Sequence, residues 1–422
     1  MMKVNLSYGD QQLELNVPDQ HLLGVVKPPA PAMIGDNDQM VREALCKPIG
    51  TPTLKEIAQS KQARNAVIVV NDITRPTPYA SILPPLLKEL ETAGITRENI
   101  TLVVALGIHR PHSREENIRI FGSEICENYR IENHDCDGEM KSLGVLSNGM
   151  ELLINRQVAE ADLLITTGVV SLHYFAGYSG GRKSILPGVA ARALIEANHQ
   201  LMDDHRACLG NYMDNPVSDI MVEASRKAGV DFIINVVIAG KNQIVFAAAG
   251  DLYQAWLEAV KSCESFNVVP IPRKADIVIA SCGGYPKDIN VYQAQKALDA
   301  ASLAVNDGGI IILVAECREG LGEETFARWI ESATCPQDIV ERFHHHFELG
   351  GHKAYAICRT LQKVDILLYS GLPPATTESM FIGPVADIEQ ALRDAIKRYG
   401  PQSTIWILPE APKIAVRVVE SA

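Results

Sequence analysis

The chain has 422 residues, of which 47% are hydrophobic and 21% are charged, so a folded protein of two or three domains is expected. Its formal net charge of −12 argues against a nucleic-acid partner, because an acidic chain repels phosphate backbones. The sequence has no run of 18 apolar residues, and its first residues do not resemble a signal peptide. We therefore expect no membrane span and a cytoplasmic location.

Nine cysteines are spread along the chain, and no two of them form a C-x-x-C pair. An odd number without paired spacing argues against a disulfide framework and against a structural zinc site. The sequence therefore predicts reduced and mostly buried thiols.

The first part of the chain alternates apolar runs with segments of helical spacing. A strand-like stretch covers Lys3–Val17, and a proline-rich connection covers Lys27–Met33. Apolar runs with β-branched residues then predict buried parallel strands at 66–70, 100–105, 161–167 and 232–238. Helical spacing predicts helices at 81–93 and 190–199. Strands that alternate with helices indicate βα units and a mostly parallel sheet.

The second part repeats this pattern, with predicted strands at 275–280, 309–315 and 364–369 and a helix at 291–305. Two prolines in Asn267–Arg273 suit a linker, which predicts an N-terminal domain at 1–266 and a C-terminal domain at 273–422. We expect an α/β fold in which each domain has a mostly parallel sheet flanked by helices. Active sites of such sheets form beyond the carboxyl ends of strands, and we expect this one in the cleft between the domains.

The loop after the strand at 66–70 contains Asp72, Thr74 and Arg75 within a proline-stiffened turn. An arginine can hold a carboxylate or a phosphate through two parallel hydrogen bonds. Aspartate and threonine are also ordinary helix-capping residues, so a helix cap followed by a surface arginine is the alternative interpretation.

The loop after the strand at 100–105 contains His109 and His112. Ser113 followed by Glu116 matches a capping box, which predicts that a helix begins there and that His112 belongs to its local structure. His109 precedes this cap, where a base can face a cleft. A structural role for a single loop histidine is an equally good interpretation.

The segment 168–188 follows the strand at 161–167 and is rich in glycine. Within it, Arg182 and Lys183 come directly after two adjacent glycines. Glycines let a backbone approach a ligand closely and present N–H groups to an anion. A phosphate-binding P-loop requires glycine immediately before the lysine, and Arg182 stands there instead. A purely structural turn would not need the two basic residues.

Three further sets of polar residues follow. His199 ends the helix predicted at 190–199, where an isolated histidine is usually a partner of the helix dipole. Tyr292 and Lys296 share one face of the first turn of the helix at 291–305, with Gln293 beside them, and a helix N-terminus with a lysine favours anions. An exposed helix is the alternative. The run at 344–346 is three adjacent histidines, which make a poor chelate and indicate a solvated surface.

Taken together, these segments resemble one family, the nickel-pincer-nucleotide-dependent lactate racemases and related 2-hydroxy-acid epimerases. The resemblance rests on D-x-T-R-P, G-x-H-R-P, H-Y-F-A-G-Y-S-G-G-x-K and Y-Q-x-x-K, which occur in the family's order. The spacings of ten residues from His173 to Lys183 and sixteen from Lys183 to His199 also fit. Each motif alone is weak, whereas the ordered set is specific and extends across nearly the whole chain.

The resemblance implies a cofactor. Lys183 would carry nickel bound to pyridinium-3,5-bisthiocarboxylic acid mononucleotide through a thioamide, and His199 would complete a planar nickel site, which is sensible for soft donors and one imidazole. Further contacts to the cofactor are expected from Asp72, Tyr292, Gly180 and Gly181.

The resemblance also implies a reaction. His109 and His173 would be the two acid–base residues, while Arg75, Gln293 and Lys296 would bind the carboxylate of a small 2-hydroxy acid. The C2 hydrogen next to a carboxylate is not acidic, so its removal as a hydride avoids a dianion. The substrate stays open between a lactate-like acid and a more polar sugar acid such as gluconate. Gly350–Lys353 is polar where a lid is expected, which favours the polar acid.

Several alternatives remain. A racemase can transfer protons between two bases without hydride chemistry, and a zinc hydrolase would use His109, His112 and His134. A protein that binds the nickel nucleotide without turnover would retain the cofactor residues but not the acid–base pair. The oligomeric state is left open.

Overall fold

The computed structural model describes residues 1–29, 35–240 and 242–419. The part of the predicted proline-rich connection from residue 30 onward lies outside the described residues. Within these ranges the strands are β1 (Met2–Tyr8), β2 (Gln11–Val17), β3 (Leu22–Val25), β4 (Ala66–Asn71), β5 (Ile100–Ala105), β6 (Arg130–Asn133), β7 (Met140–Val145), β8 (Glu151–Asn155), β9 (Leu163–Val169), β10 (Leu172–His173), β11 (Gly177–Tyr178), β12 (Phe232–Ala239), β13 (Gln243–Gly250), β14 (Val268–Ile271), β15 (Ala275–Ser281), β16 (Val305–Val314), β17 (Asp365–Tyr369), β18 (Gly383–Val385), β19 (Ile405–Leu408) and β20 (Ala415–Val418).

The α-helices of the described residues alternate with these strands. They are α1 (Asn37–Cys46), α2 (Leu54–Ser60), α3 (Tyr79–Thr92), α4 (Arg114–Phe121), α5 (Ser123–Asn128), α6 (Arg156–Ala159), α7 (Arg192–Gln200), α8 (Pro216–Lys227), α9 (Gln254–Asn267), α10 (Val291–Ala304), α11 (Glu324–Glu331), α12 (Pro336–His345), α13 (Gly351–Leu361), α14 (Pro374–Glu378) and α15 (Ile388–Tyr399). None of the described helices combines the length and the apolar character needed to cross a membrane.

The chain divides into two compact units. Unit 1 comprises Met1–Pro29 and Asn267–Ala422, and unit 2 comprises Ala30–Phe266. This division differs from domains at 1–266 and 273–422, because the N-terminal segment joins the C-terminal unit. Its strand β3 pairs in parallel with β19, which extends the sheet of unit 1 by one strand.

Unit 2 contains a six-stranded sheet in the order β13-β12-β9-β4-β5-β6. All neighbouring strands run parallel except the edge pair β12 and β13. The first five residues of β4 are buried, as expected for a parallel strand covered on both faces, and apolar side chains of α3 pack against the sheet. The mostly parallel sheet and the strands at 66–70, 100–105, 161–167 and 232–238 are confirmed.

The chain order of unit 2 places a topological switch point at its centre. From β4 the chain proceeds to β5 and β6 on one side, and later returns to β9 and β12 on the other. Ligand sites in doubly wound folds lie outside the carboxyl ends of the strands at such a point. The loops that follow β4, β5 and β9 are therefore the ones that position a site.

Unit 1 contains a second six-stranded sheet in the order β18-β17-β16-β15-β19-β3, with all neighbours parallel. Alternate side chains of β15, β16 and β19 pack with α15 in one apolar core. The predicted helix at 291–305 is α10, which contacts β15 and β16. The α/β fold with parallel-sheet units flanked by helices is confirmed.

Two segments contain more structure than the sequence pattern indicated. The strand-like stretch at 3–17 is a hairpin of β1 and β2, because Gly9 turns the chain with a φ of 53°. The segment Asn267–Arg273 is not only a linker, since β14 within it pairs in parallel with β20. The nine cysteines all lie within the described residues as thiols rather than disulfides, and five of them are buried.

The central position of β4 predicts that substitutions in this strand lower the stability of the protein. Ile68 is 0% exposed and lies between two parallel neighbours, so replacing it with alanine leaves a cavity that should cost about 2–5 kcal/mol in the free energy of unfolding. The same change at Ile118, which is 38% exposed on α4, should cost less than about 1 kcal/mol. Urea unfolding followed by circular dichroism measures both, and equal losses would contradict the assignment of β4 to the core.

Candidate active site

Three predicted site residues follow three adjacent strands of unit 2. Asp72 follows β4, His109 follows β5 and His173 follows β9. The strands lie in the order β9-β4-β5, so these loops leave the same edge of the sheet at the switch point. The sequence spacing of 37 residues between Asp72 and His109 becomes direct contact.

Asp72 and His109 form a hydrogen-bonded pair. His109 Nδ1 donates to Asp72 Oδ2 over 2.6 Å, and Thr74 Oγ1 donates to the other carboxylate oxygen over 2.7 Å. Burial of the Asp72 carboxyl opposes its ionisation, but the hydrogen bonds from His109 and Thr74 outweigh burial, so the pKa of Asp72 is lowered. The ionised carboxylate holds the proton of His109 on Nδ1, and the lone pair of the neutral ring is therefore on Nε2.

His112 fastens the loop that carries this pair. Its Nε2 accepts a hydrogen bond from the backbone N–H of Ile73 over 3.0 Å, and its Nδ1 donates to Asn117 Oδ1 over 3.0 Å. Both ring nitrogens are used within the protein, which agrees with the local structural role expected for His112. The capping box of Ser113 and Glu116 at the start of α4 is confirmed.

The zinc-hydrolase alternative finds no support in the described residues. His134 is 3% exposed, and its Nε2 donates to the carbonyl oxygen of Ala190 over 3.0 Å. In the part of the chain that the structure describes, the nitrogens of His109, His112 and His134 do not gather at the spacing of metal ligands. The three histidines therefore serve separate local roles.

Phe175, which was not itself predicted to belong to the site, lies among three predicted site residues. Its ring centroid is 4.6 Å from that of His173, 5.0 Å from that of His199 and 5.6 Å from Lys183 Nζ. Phe175 is 2% exposed, so the contact is formed in the interior of unit 2. We call these four residues the Phe175 cluster, and it brings together residues that are up to 26 positions apart in sequence.

His173 and His199 are oriented oppositely within this cluster. His199 Nδ1 donates to the carbonyl oxygen of Ile195 over 2.8 Å, so in the neutral ring Nε2 carries the lone pair. His173 Nδ1 accepts from the backbone N–H of Ala176 over 3.2 Å, so its proton is on Nε2. Burial and the charge of Lys183 lower the pKa of both rings, that of His199 to about 3.

Lys183 is a lysine in an unusual environment. Burial, with the charges of Arg182 and Arg75, lowers its pKa well below the ordinary value. A lysine whose charged form is disfavoured loses its proton more readily, and the unprotonated amine is the nucleophilic form. Arg75 itself is exposed, and its Nη1 donates to Thr74 Oγ1 over 3.1 Å, so its guanidinium remains at the surface near these groups.

Arg182 is buried although it is charged. It is 1% exposed, its guanidinium carbon lies 3.9 Å from the ring centroid of Trp256, and it donates to Ser218 Oγ over 3.0 Å and to the carbonyl oxygen of Ala176 over 2.8 Å. Burial lowers its pKa to about 9. Arg182 therefore ties the segment before Gly177 to α8, a role that its position in the glycine-rich segment did not reveal.

The glycines of this segment are required by the protein's own packing. Gly180 has φ 76° and ψ −178°, a conformation that is nearly restricted to glycine. A Cβ atom there would lie 2.5 Å from Asn235 Oδ1, which itself accepts the N–H of Gly181 over 2.8 Å. A Cβ at Gly181 would lie 2.9 Å from the Trp256 ring. These contacts are distinct from the cofactor contacts expected of the two glycines.

In unit 1, the predicted residues lie in the first two turns of α10. Asn290 caps this helix by accepting the N–H of Gln293 over 3.0 Å. Lys296 Nζ donates to Gln293 Oε1 over 2.8 Å, and Lys353 Nζ lies 4.3 Å from the centroid of the Tyr292 ring. The histidines at 344–346 are exposed around the end of α12, as predicted.

The chain matches models of known families over most of its length. Residues 8–210 match the lactate racemase N-terminal domain, and residues 271–416 match the lactate racemase C-terminal domain. It is 35% identical to a lactate racemase of Thermoanaerobacterium thermosaccharolyticum and 32% identical to one of Lactiplantibacillus plantarum, in both cases over 99% of this chain and 100% of the relative.

Solved structures agree with this assignment. The lactate racemase apoprotein of T. thermosaccharolyticum aligns with a TM-score of 0.89 and 34% identity, over 99% of this chain and 100% of that one. A Thermotoga maritima protein aligns with a TM-score of 0.61 at 18% identity, over 92% of this chain and 100% of that one, and shares the fold. The chain belongs to the lactate racemase family, as the resemblance implied. It is therefore an isomerase.

The packing around Gly180 generates a prediction. Gly180→Ala should lower the free energy of unfolding by about 1–3 kcal/mol from backbone strain, with a further loss from the contact with Asn235. Gly229→Ala is the matched control, because Gly229 has a similar φ of 74° but nothing within 4 Å of an added Cβ. Urea unfolding measures the free energy of unfolding of both variants, and the difference between their losses reports the cost of the contact between the added Cβ and Asn235. Equal losses in the two variants would show that this contact costs nothing because Asn235 moves away.

Proposed function

We propose that this chain racemises a small 2-hydroxy acid by reversible hydride transfer from C2, with a nickel-pincer nucleotide as the hydride acceptor. One observation carries the proposal: the Asp72–His109 pair and the segment with His173 and Lys183 leave the same edge of one parallel sheet at its switch point. Phe175 of that segment packs against His199 of α7. A base, a partly buried lysine whose pKa is lowered, and a histidine whose Nδ1–H is held by a backbone carbonyl are thus available at one edge.

The residues present fit the proposed cofactor. Lys183 offers the neutral amine that a thioamide linkage requires. His199 offers Nε2 to a metal while its Nδ1–H is held by a backbone carbonyl, which is the usual arrangement for metal-binding histidines. When bound, the nickel-pincer nucleotide supplies an electron-poor centre that can hold a hydride ion. The assignments of Lys183 to the tether and His199 to nickel rest on this chemistry and on the family motifs.

The proton chemistry falls to His109. Its Nε2 lone pair can accept the proton of the C2 hydroxyl group as the hydride departs, and Asp72 stabilises the resulting imidazolium. The product of this step is a planar 2-keto acid, to which a hydride can return on either face. The Nε2–H of His173 is oriented as a donor, which suits a hydrogen bond to the oxygen at C2. A second acid–base role for His173 requires its ring to turn.

Substrate binding calls for cations, because the substrate carries a carboxylate. Arg75 is exposed at this edge of unit 2 and can form a two-pronged contact with that group. We also propose carboxylate contacts from Gln293 and Lys296, on the basis of the Y-Q-x-x-K motif. The hydrogen bond between their side chains holds both at the start of α10.

We propose a lactate-like acid rather than a sugar acid. The preference for gluconate rested on a polar segment at Gly350–Lys353. In the structure His352 and Lys353 are 5% and 4% exposed, so they do not present a polar lid to solvent. With that reason removed, the names of the two relatives favour lactate.

The reaction is tested with cofactor-loaded protein and single enantiomers of lactate, malate and gluconate in heavy water. We expect inversion of lactate without deuterium at C2, because a hydride held by the enzyme does not exchange with solvent. Protein without cofactor should be inactive. Full deuterium uptake at C2 would instead establish proton transfer between two bases. Absence of inversion for every acid, despite bound nickel, would favour a binding protein without turnover.

The pairing of Asp72 with His109 gives a second prediction. Asp72→Asn should lower kcat by about 10²-fold or more while changing KM little, because an amide neither stabilises the imidazolium nor fixes its tautomer. Asp135→Asn is a control at an exposed carboxyl group. Steady-state racemisation measures both variants. An unchanged kcat in Asp72→Asn would remove His109 from the role of a carboxylate-supported base.

A further inference from the structure

A second buried polar group lies in unit 1, between α10 and α13. Tyr292, Gln295 and Asp299 occupy α10 at spacings of three and four residues, and therefore share one face of this helix. Lys353 of α13 is 4% exposed and contacts this face. We call these four residues the α10–α13 cluster.

Lys353 contacts Tyr292 in two ways. Its Nζ donates to the carbonyl oxygen of Tyr292 over 2.7 Å and lies 4.3 Å from the centroid of the Tyr292 ring. The tyrosine is thus held by both its backbone and its side chain. Gln293 is the next residue along the chain, and Lys296 hydrogen-bonds to it over 2.8 Å, so the contact with Tyr292 supports both proposed carboxylate ligands.

Asp299 lies two turns farther along α10. Gln295 Nε2 donates to Asp299 Oδ1 over 3.0 Å, while Asp299 Oδ2 is buried and has no hydrogen-bond partner among the described residues. Burial raises the pKa of Asp299, and the charges of Lys353 and Arg359 oppose that rise. Burial and the charge of Lys296 lower the pKa of Lys353, while Asp299 opposes this.

A buried lysine at position 353 costs desolvation free energy, which packing alone does not require. A methionine has a similar length and would avoid the desolvation of an amine, so apolar packing would serve stability as well or better. The lysine is also too deeply buried to act as a surface cation. Its distinguishing feature is the hydrogen bond to the first turn of α10.

We propose that Lys353 is a positioning residue that clamps the first turn of α10 through Tyr292 and so holds Gln293 and Lys296 in place for the substrate carboxylate, with Asp299 as its counter-charge. This inference rests on the proposed function for its link to the substrate. The clamp itself is a property of unit 1 and can be measured without catalysis.

The experiment compares three variants of the full chain with wild type. Lys353→Met removes the clamp, and Lys353→Met/Asp299→Asn removes it together with the buried counter-charge, which guards against a fold that fails only because Asp299 is left alone. Lys363→Met is the matched control, because Lys363 is exposed just beyond the end of α13.

The first measurement is hydrogen–deuterium exchange of the backbone amides at 292–296 in protein without cofactor. Both Lys353 variants should exchange there about tenfold faster than wild type, with Lys363→Met unchanged. Unaltered exchange in the double variant would overturn the clamp, whatever the enzyme turns over.

The second measurement is the racemisation of lactate by cofactor-loaded protein. The double variant should raise KM by about tenfold with kcat within about threefold of wild type, since carboxylate binding is lost while the Asp72–His109 pair is intact. A wild-type KM in the double variant would show that Lys353 only balances the charge of Asp299, and would overturn the positioning role. Absence of turnover in wild type would count against the proposed function, and the exchange result would still decide the clamp.

Discussion

The burial of the Arg182 guanidinium constrains the structure of the site in unit 2. Arg182 has no carboxylate partner within the described ranges, and it is held by a carbonyl, a hydroxyl and the face of Trp256. Such an arrangement keeps a positive charge in the interior at a cost in solvation. Burial lowers the pKa of the neighbouring Lys183, and the charge of Arg182 lowers it further. A protein with a net charge of −12 thus keeps its site electropositive, which suits an anionic substrate.

In these electropositive surroundings, the carboxylate of Asp72 is important. Asp72 is in direct contact with one predicted acid–base residue, His109, whose Nδ1 donates to its carboxylate. His109 is thereby distinguished from His173, whose ring lies among cations and accepts from a backbone N–H. Two histidines that the sequence presents as equivalent therefore differ in tautomer. The difference comes from what each Nδ1 contacts, and motif order alone does not contain that information.

The sequence predicted the parts of the fold that depend on local pattern. Buried parallel strands are continuous apolar runs, so β4, β5, β9 and β12 were predicted, and the polar residues after β4, β5 and β9 supplied candidate site residues. Long-range pairing has no such local signal. The parallel pair of β14 and β20 and the addition of β3 to the sheet of unit 1 join segments that are far apart in sequence. The Asp72–His109 contact was missed for the same reason, since only the strand order brings the two loops together.

Lys353 shows that a charged residue type in the sequence does not establish that the residue is exposed. Next to two glycines and a histidine it suggests a solvated lid, yet it is buried against Tyr292. Its long apolar stem can pass through a helix interface while its amine reaches a helical carbonyl, so a charged residue type does not by itself indicate the surface. Both units therefore place a lysine with a lowered pKa beside residues proposed to act on the ligand. In unit 2 burial lowers the pKa of Lys183, whereas in unit 1 the amine of Lys353 donates to a backbone carbonyl, and that difference in partner separates the proposed tether from the proposed positioning residue.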